Sequence, residues 1–342
     1  MKALFNKIDK RELKKALYSD PQNRVTLSFY KYRPIESPQE FRDNIYLDWE
    51  SWGVLGRVYI SNEGVNAQIS IEKSKLGGFK EFLQGSPFFE GTFFNLAVED
   101  DGKSFFVLKV MVKKKIVADG IDEGGFDLSN CGQRLSAKQF NELTSKPDTI
   151  VVDMRNHYES EVGHFVNAIC PSVDSFRESL PVVEKMISGK KSQNIILYCT
   201  GGIRCEKASA WFKHKGFQNV FQLEGGIINY YHQAKSQGLE NKFLGKNFVF
   251  DERLGERISN DIISQCHQCG KPCDNHTNCK NDGCHLLFIQ CEECSNKFQN
   301  CCSKKCQEII NLPIEEQKKL RRGVKNGPKV FKKGRANHLR VI

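Results

Sequence analysis

The sequence predicts an α/β multidomain protein with three parts: an amino-terminal α+β domain of ferredoxin-like order, an α/β domain built on a parallel sheet, and a cysteine-rich carboxyl-terminal module. Three observations predict it. At 342 residues the chain exceeds what one hydrophobic core organises. Its first third reads strand, helix, strand, strand, helix, strand, which is the split βαβ order. Its middle holds short, continuously apolar runs separated by helical spacing, and ten of its fourteen cysteines crowd between Cys266 and Cys306. The expected segments are 1–117 for the first domain, 118–134 for a linker, 135–243 for the parallel-sheet domain, 244–310 for the cysteine module and 311–342 for a basic tail.

Residues 1 to about 20 read as a polar, partly helical lead-in. Val25 to Tyr32 alternates as a strand, and Pro38 to Trp52 spaces Phe41, Ile45, Leu47 and Trp49 as a helix. Gly56 to Ser61 and Gly64 to Ile71 alternate on either side of Asn62-Glu63, as hairpin strands do. A second helix is expected over Lys73 to Gln84, with Phe105 to Val112 closing the unit as its last strand. Ala118 to Gln133, rich in Gly, Asp and Asn, reads as a linker without chemistry of its own.

The second domain opens at Leu135, where Ser136 caps an expected helix through Leu143. Thr149 to Asp153 and Asn194 to Tyr198 lack alternation, so both faces of their sheet are buried, as in parallel sheets. Ligands of such sheets bind beyond the carboxyl ends of the strands, where Asp153 and Cys199 both fall. Cys199 stands between an apolar strand and a helix start, in Tyr198-Cys199-Thr200-Gly201-Gly202-Ile203-Arg204-Cys205. The amides of Thr200, Gly201, Gly202, Ile203 and Arg204 can curl around its sulfur, and the helix end and the Arg204 guanidinium favour a thiolate. Cys199 is therefore the expected nucleophile. Asp153 and Arg155 are expected to brace the loop, and Cys205 either resolves an oxidised Cys199 or packs at the helix start.

Composition narrows the class. With 39% hydrophobic and 27% charged residues, the chain has the balance of a soluble protein. No apolar stretch nears the ~18 residues of a membrane span, and Met1 to Lys15 lacks the apolar centre of a signal peptide. A cytoplasmic place with reduced cysteines follows as an expectation, so a dense cysteine cluster argues for metal and against disulfides. Two Cys-x-x-Cys knuckles, Cys266 with Cys269 and Cys291 with Cys294, approximate a zinc ribbon. A second site would draw on Cys273, Cys279, Cys284 and Cys301 or Cys306, with His276 or His285 as substitutes. An iron–sulfur cluster is the alternative. The net charge of +10 is matched by ten Lys or Arg and no acid between Gln317 and Ile342, Lys318, Lys319, Arg321 and Arg322 among them. This tail reads as extended or disordered, with a polyanion as partner, and Lys113, Lys114 and Lys115 are further candidates for phosphate contact.

The motifs around Cys199 resemble those of a rhodanese domain. Val152-Asp153-Met154-Arg155 resembles its Asp-x-Arg strand end, Gly163-His164-Phe165-Val166-Asn167-Ala168 its Gly-His turn, and Leu223-Glu224-Gly225-Gly226-Ile227 its closing segment. From Cys199 to Arg204 the loop is Cys-x4-Arg. That is one residue tighter than the related phosphatases' Cys-x5-Arg, and it suits a persulfide sulfur better than a phosphate. With the Gly64-Val65-Asn66 hairpin and the cysteine-rich carboxyl region, the whole resembles the TrhO (YceA-type) family of tRNA uridine 5-hydroxylases. The resemblance implies oxygen-dependent formation of 5-hydroxyuridine at wobble position 34 of tRNA. It also implies Cys199 as active-site cysteine, tRNA as partner, molecular oxygen as cosubstrate, and a sulfur donor or reductant. No iron or flavin fingerprint accompanies it, although His157, Glu159 and His164 are the residue types of a facial triad. A sulfurtransferase passing persulfide sulfur to a thiol or RNA acceptor is the alternative enzyme, and a non-catalytic RNA-binding scaffold the alternative outside enzymology.

Overall fold

A computed structural model describes residues 4–6, 8–19, 23–121, 126–323 and 339. Helix α1 (Lys10–Ser19) precedes β1 (Arg24–Tyr32), α2 (Pro38–Ser51), β2 (Leu55–Ser61), β3 (Gly64–Glu72), α3 (Leu76–Gln84), β4 (Asn95–Leu96) and β5 (Leu108–Val112). The strands lie in the order β4-β1-β3-β2-β5. Among the first four, neighbouring strands are antiparallel to one another, as the ferredoxin-like order requires. The expectation for the closing strand needs correction, because the fourth place belongs to the two-residue β4, whereas β5 adds a fifth strand parallel to β2. The predicted second helix is also divided: Lys73–Lys75 form a 3₁₀ turn before α3.

Alternation gives this sheet two different faces. Leu27, Phe29, Val58, Ile60, Val65, Ala67, Ile69 and Ile71 join Trp49 of α2 and Phe79 and Leu83 of α3 in the core. Ser28, Tyr30, Arg57, Tyr59, Asn66 and Gln68 take the opposite face, which roofs the site described below.

The second domain runs β6 (Gln133–Leu135), α4 (Ala137–Thr144), β7 (Thr149–Asp153), α5 (His157–Ser160), β8 (Gly163–Phe165), α6 (Phe176–Met186), β9 (Asn194–Tyr198), α7 (Ile203–His214), β10 (Asn219–Leu223) and α8 (Gly226–Gln237). Strands β6-β10-β9-β7 form one parallel sheet. Ser136 caps α4 in a reciprocal capping box with Gln139. Helices α6 and α7 cover one face through Leu180, Val183, Ala208 and Phe212. On the other, α4 and α8 bring Phe140, Ile227 and Tyr230 against Val151, Ile196 and Tyr198. This double cover accounts for the unbroken apolar runs in the sequence.

The carboxyl-terminal part adds β11 (Phe243–Asn247), β12 (Glu256–Arg257), β13 (His276–Asn278), β14 (Leu287–Ile289), α9 (Glu292–Phe298), α10 (Lys304–Ile310) and α11 (Ile314–Arg321). Strand β11 pairs with β8 and with β12, which ties the module to the parallel-sheet domain. Two further expectations are corrected. Part of the basic tail is helical, since α11 carries Glu315 and Glu316 in its first turn and Lys318, Lys319 and Arg321 in its last, matching the helix dipole. Lys325 and the later basic residues lie outside the described residues. The linker is not empty either: its Asp119 is buried and accepts from Lys115 at 2.7 Å and from Lys207 at 2.5 Å. No helix among the described residues is long and apolar enough to cross a membrane.

Candidate active site and metal centres

Strand β9 ends at Tyr198, Cys199 follows it, and α7 begins only four residues later. Gly202 makes so tight a turn possible. Its φ of +100° lies in the left-handed region, and a Cβ there would stand 2.9 Å from the Tyr30 hydroxyl. The Gly202 N–H donates to Cys199 Sγ at 3.1 Å. From the other side α8 grips the loop backbone, Ile227 N–H donating to Cys199 O at 3.0 Å and Ile228 N–H to Thr200 O at 3.3 Å.

Burial pushes the Cys199 thiol up, but the Cys205 thiol that donates to it, the Arg204 charge and the amides of Arg204 and Gly202 outweigh burial and bring it down to about 6. Cys199 is a thiolate at neutral pH. Cys205, itself buried and bonded to that sulfur, is pushed well above an ordinary thiol and stays protonated as the donor. Arg204 does not face the sulfur alone. Its guanidinium holds the fully buried Glu159 at 2.5 and 3.0 Å and approaches Thr200 Oγ1 at 3.5 Å. The sequence offered Glu159 only as a triad type and gave no sign of its bond to Arg204; the local signal was its place at the start of α5, where it accepts from Asn156 N–H at 2.8 Å.

The hydrogen bonds of the Asp153 and Arg155 side chains go to each other, Asn247 and Gly163 rather than to the loop. Arg155 clamps Asp153 through Nε and Nη2, at 2.9 and 2.6 Å, and its Nη2 also donates to Gly163 O at 2.6 Å. With Met154 N–H bonded to Tyr198 O at 2.8 Å, this fixes β7 and β8 against the end of β9. The histidines of the suggested triad diverge. His164 Nδ1 bonds Ser160 O at 3.0 Å, and Glu159 is committed to Arg204, so His157, Glu159 and His164 form no metal-binding group among the described residues.

Above Cys199 lies a cavity of about 530 Å³ between the two domains. Ser28, Tyr30, Arg57, Tyr59, Asn66, Gln68 and Asn95 line it from the first domain, and Tyr158, Phe176, Cys199, Thr200, Arg204 and Phe250 from the rest of the chain. The domains are latched around it. Tyr30 donates to Glu206 at 3.0 Å, Tyr32 to Ile203 O at 3.2 Å and Asn95 to Gly201 O at 3.3 Å. Lys207, buried behind the loop, joins Glu63 of the β2–β3 turn at 2.7 Å to Asp119. The sequence held the strand alternation that creates this polar and aromatic face, but not the partner that covers it.

The Sγ atoms of Cys266, Cys269, Cys291 and Cys294 all lie within 4.8 Å of one another, the arrangement expected from the two knuckles. His267 of the first knuckle meets Glu161, next to α5, at 2.9 Å, so this group leans on the parallel-sheet domain. The second group is corrected: it comprises Cys279, Cys284, Cys302 and Cys306, while Cys273, Cys301, His276 and His285 stand outside it. Of the basic candidates, Lys115 is spent on Asp119, Arg321 pairs with Asp282 at 2.6 Å and Lys318 with Glu315 at 2.8 Å. Lys113 lies over the Tyr59 ring, and Lys114, Lys319 and Arg322 are on the surface.

Three family models match the chain in succession: the UPF0176 acylphosphatase-like domain over residues 24–116, the rhodanese-like domain over 136–233 and the rhodanese C-terminal domain over 244–307. A tRNA uridine(34) hydroxylase of Enterobacter sp. (strain 638) is 54% identical over 98% of this chain and 96% of its own length. Those of Yersinia pestis (strain Pestoides F) and Yersinia pseudotuberculosis (serotype O:1b) are each 55% identical over 98% of this chain and 95% of theirs. At that identity over nearly the full length of both partners, the chain belongs to the tRNA uridine(34) hydroxylase family.

Proposed function

We propose that this chain hydroxylates C5 of uridine 34 in tRNA, with molecular oxygen, in the cavity over Cys199. The observation that carries the reading is a preformed thiolate at the floor of a chamber whose roof is a second domain. The chamber suits a base splayed out of an anticodon loop: Tyr30, Tyr59, Tyr158 and Phe250 offer aromatic surface for stacking, and Asn95 Oδ1, which has no partner among the described residues, offers an acceptor for an N–H of the base. Cys199 adds to C6 of the uracil and raises electron density at C5, the carbon to be oxygenated. One oxygen atom then enters the C5–H bond and the other leaves as water, which consumes two electrons and two protons from a thiol reductant. Loss of the C5 proton and of Cys199 restores the ring. The Cys205 thiol, the Arg204 charge and the amides of Gly202 and Arg204 hold the sulfur anionic whenever it is free, and Asp153 with Arg155 keeps the strand ends in place.

Phosphate contacts from Lys113, Lys114, Lys319, Arg322 and the basic residues beyond them bind the tRNA without choosing the base. Zinc at Cys266, Cys269, Cys291 and Cys294 would be a structural ion holding the knuckles together. Cytoplasmic work follows from the substrate. A second reading, sulfur transfer through a Cys199 persulfide, draws support from the rhodanese-like match itself. Nucleoside mass spectrometry of tRNA from cells lacking the protein, complemented with wild type or Cys199→Ser, separates the two. Loss of 5-hydroxyuridine derivatives supports hydroxylation, and loss of a thiolated uridine supports sulfur transfer.

A further inference from the structure

The second cysteine group differs from the first in its ligand pattern and in what it carries. Cys279 follows β13, Cys284 sits in the next turn, Cys302 precedes α10 and Cys306 lies within it. Cys302 Sγ stands 3.7 Å from Cys284 Sγ and 3.7 Å from Cys306 Sγ, and all four sulfurs lie within 4.8 Å. A tetrahedral zinc ion with bonds of about 2.3 Å sets its sulfurs about 3.8 Å apart. Disulfide sulfurs would stand at about 2.05 Å. Four sulfurs this close enclose one ion and leave no room for a multi-iron cluster, whose cysteines ligate separate iron atoms.

Neighbouring donors agree with thiolates. The Cys302 N–H points at Cys279 Sγ at 3.5 Å, and Asn281 Nδ2 at Cys306 Sγ at 3.4 Å. The first group repeats the device, with the Cys291 N–H on Cys266 Sγ at 3.3 Å. Buried thiolates gathered without a cation would repel one another, so a divalent ion completes the arrangement.

The group also receives the end of α11 and Leu339. Arg321 at the end of α11 pairs with Asp282, between the ligands Cys279 and Cys284. Leu339, far along the tail and only 1% exposed, is buried in one cluster with Cys279, Leu286, Phe288, Cys301, Cys302 and Cys306.

We infer that Cys279, Cys284, Cys302 and Cys306 bind a second structural zinc ion, and that this site anchors α11 and Leu339 to the body of the protein. The claim stands apart from the hydroxylase reading, because its test counts metal.

The full-length protein, purified without oxygen, is assayed for zinc by elemental analysis, beside Cys302→Ser/Cys306→Ser, Cys291→Ser/Cys294→Ser and Cys301→Ser. Two zinc ions per chain are expected in wild type and in Cys301→Ser, and one in each double variant. One ion in wild type, iron in place of zinc, or loss of an ion in Cys301→Ser would overturn the assignment. Should the double variant fold poorly, cobalt replacement in wild type decides: the thiolate-to-cobalt band should grow linearly up to two equivalents, and saturation at one refutes the second site. Hydrogen exchange over 314–321 should quicken in Cys302→Ser/Cys306→Ser and not in Cys291→Ser/Cys294→Ser. Equal protection in both would remove the anchoring role.

Discussion

Replacing Cys205 tests how the thiolate is made. The Cys205 thiol heads the influences that lower Cys199, ahead of the Arg204 charge and the two amides. A hydrogen bond to a charged group contributes about 1.5–3 kcal/mol, and a thiol is a weak donor, so the low end applies. At 1.36 kcal/mol for each pKa unit, Cys205→Ala should raise Cys199 by about one unit, from about 6 to about 7. Cys205→Ser keeps a donor at that place and should leave the value near that of wild type. The assay is the alkylation rate of Cys199 by iodoacetamide between pH 5 and 9, followed on its peptide by mass spectrometry. The rate rises with pH as the thiolate forms, so the alanine variant should react about ten-fold more slowly at pH 5, about two-fold more slowly at pH 7, and at the same rate at pH 9. An unmoved titration in Cys205→Ala, or an equal shift in both variants, would show that the helix end and Arg204 suffice and that the Cys205 bond contributes nothing.

Other perturbations probe the surroundings. Glu159→Gln leaves Arg204 buried without its carboxylate and should cost about 3–5 kcal/mol of stability, seen as a lower melting temperature. The Cys199 titration should nevertheless stay at or below about 6, because the arginine's charge is then less neutralised; a rise would mean that Glu159 acts by orienting Arg204. Lys207→Met removes the cation paired with Glu63 and leaves Asp119 with Lys115 alone, and should cost about 3 kcal/mol in urea denaturation, part of it regained in Lys207→Met/Glu63→Gln. An unchanged midpoint would show that the latch is solvated. Deleting 324–342 removes six basic residues and should weaken binding to all tRNAs alike, with the salt slope falling by up to roughly 4; an unchanged slope would make the tail a bystander.

What the sequence disclosed follows from how local each signal is. The loop from Cys199 to Arg204 was legible because strand, turn and helix start are consecutive, and the glycines leave a direct mark. Glu159 was not, because its bond to Arg204 spans 45 residues and only its capping role is local. β4 is two residues long and carries no alternation, whereas β5 does, so the fourth place in the sheet was given to the wrong strand. Spacing alone put Cys301 forward as a ligand and passed over the vicinal Cys302, because it does not show which of the two faces the group. Ser303 does, since its side chain accepts from Cys306 N–H and starts α10 where Cys302 and Cys306 can meet. The tail's helix was hidden by counting charge from Gln317 onward, which omitted the two glutamates that oppose it.

The central claim is that Cys199 serves the insertion of one atom of molecular oxygen into uridine 34. Purified protein is incubated with unmodified tRNA, a thiol reductant and ¹⁸O₂ in ordinary water, and the anticodon nucleosides are weighed by mass spectrometry. The account predicts 5-hydroxyuridine carrying one ¹⁸O at position 34 with wild type and none with Cys199→Ser. A hydroxyl drawn from water, a thiolated uridine in its place, or full activity without Cys199 would contradict it.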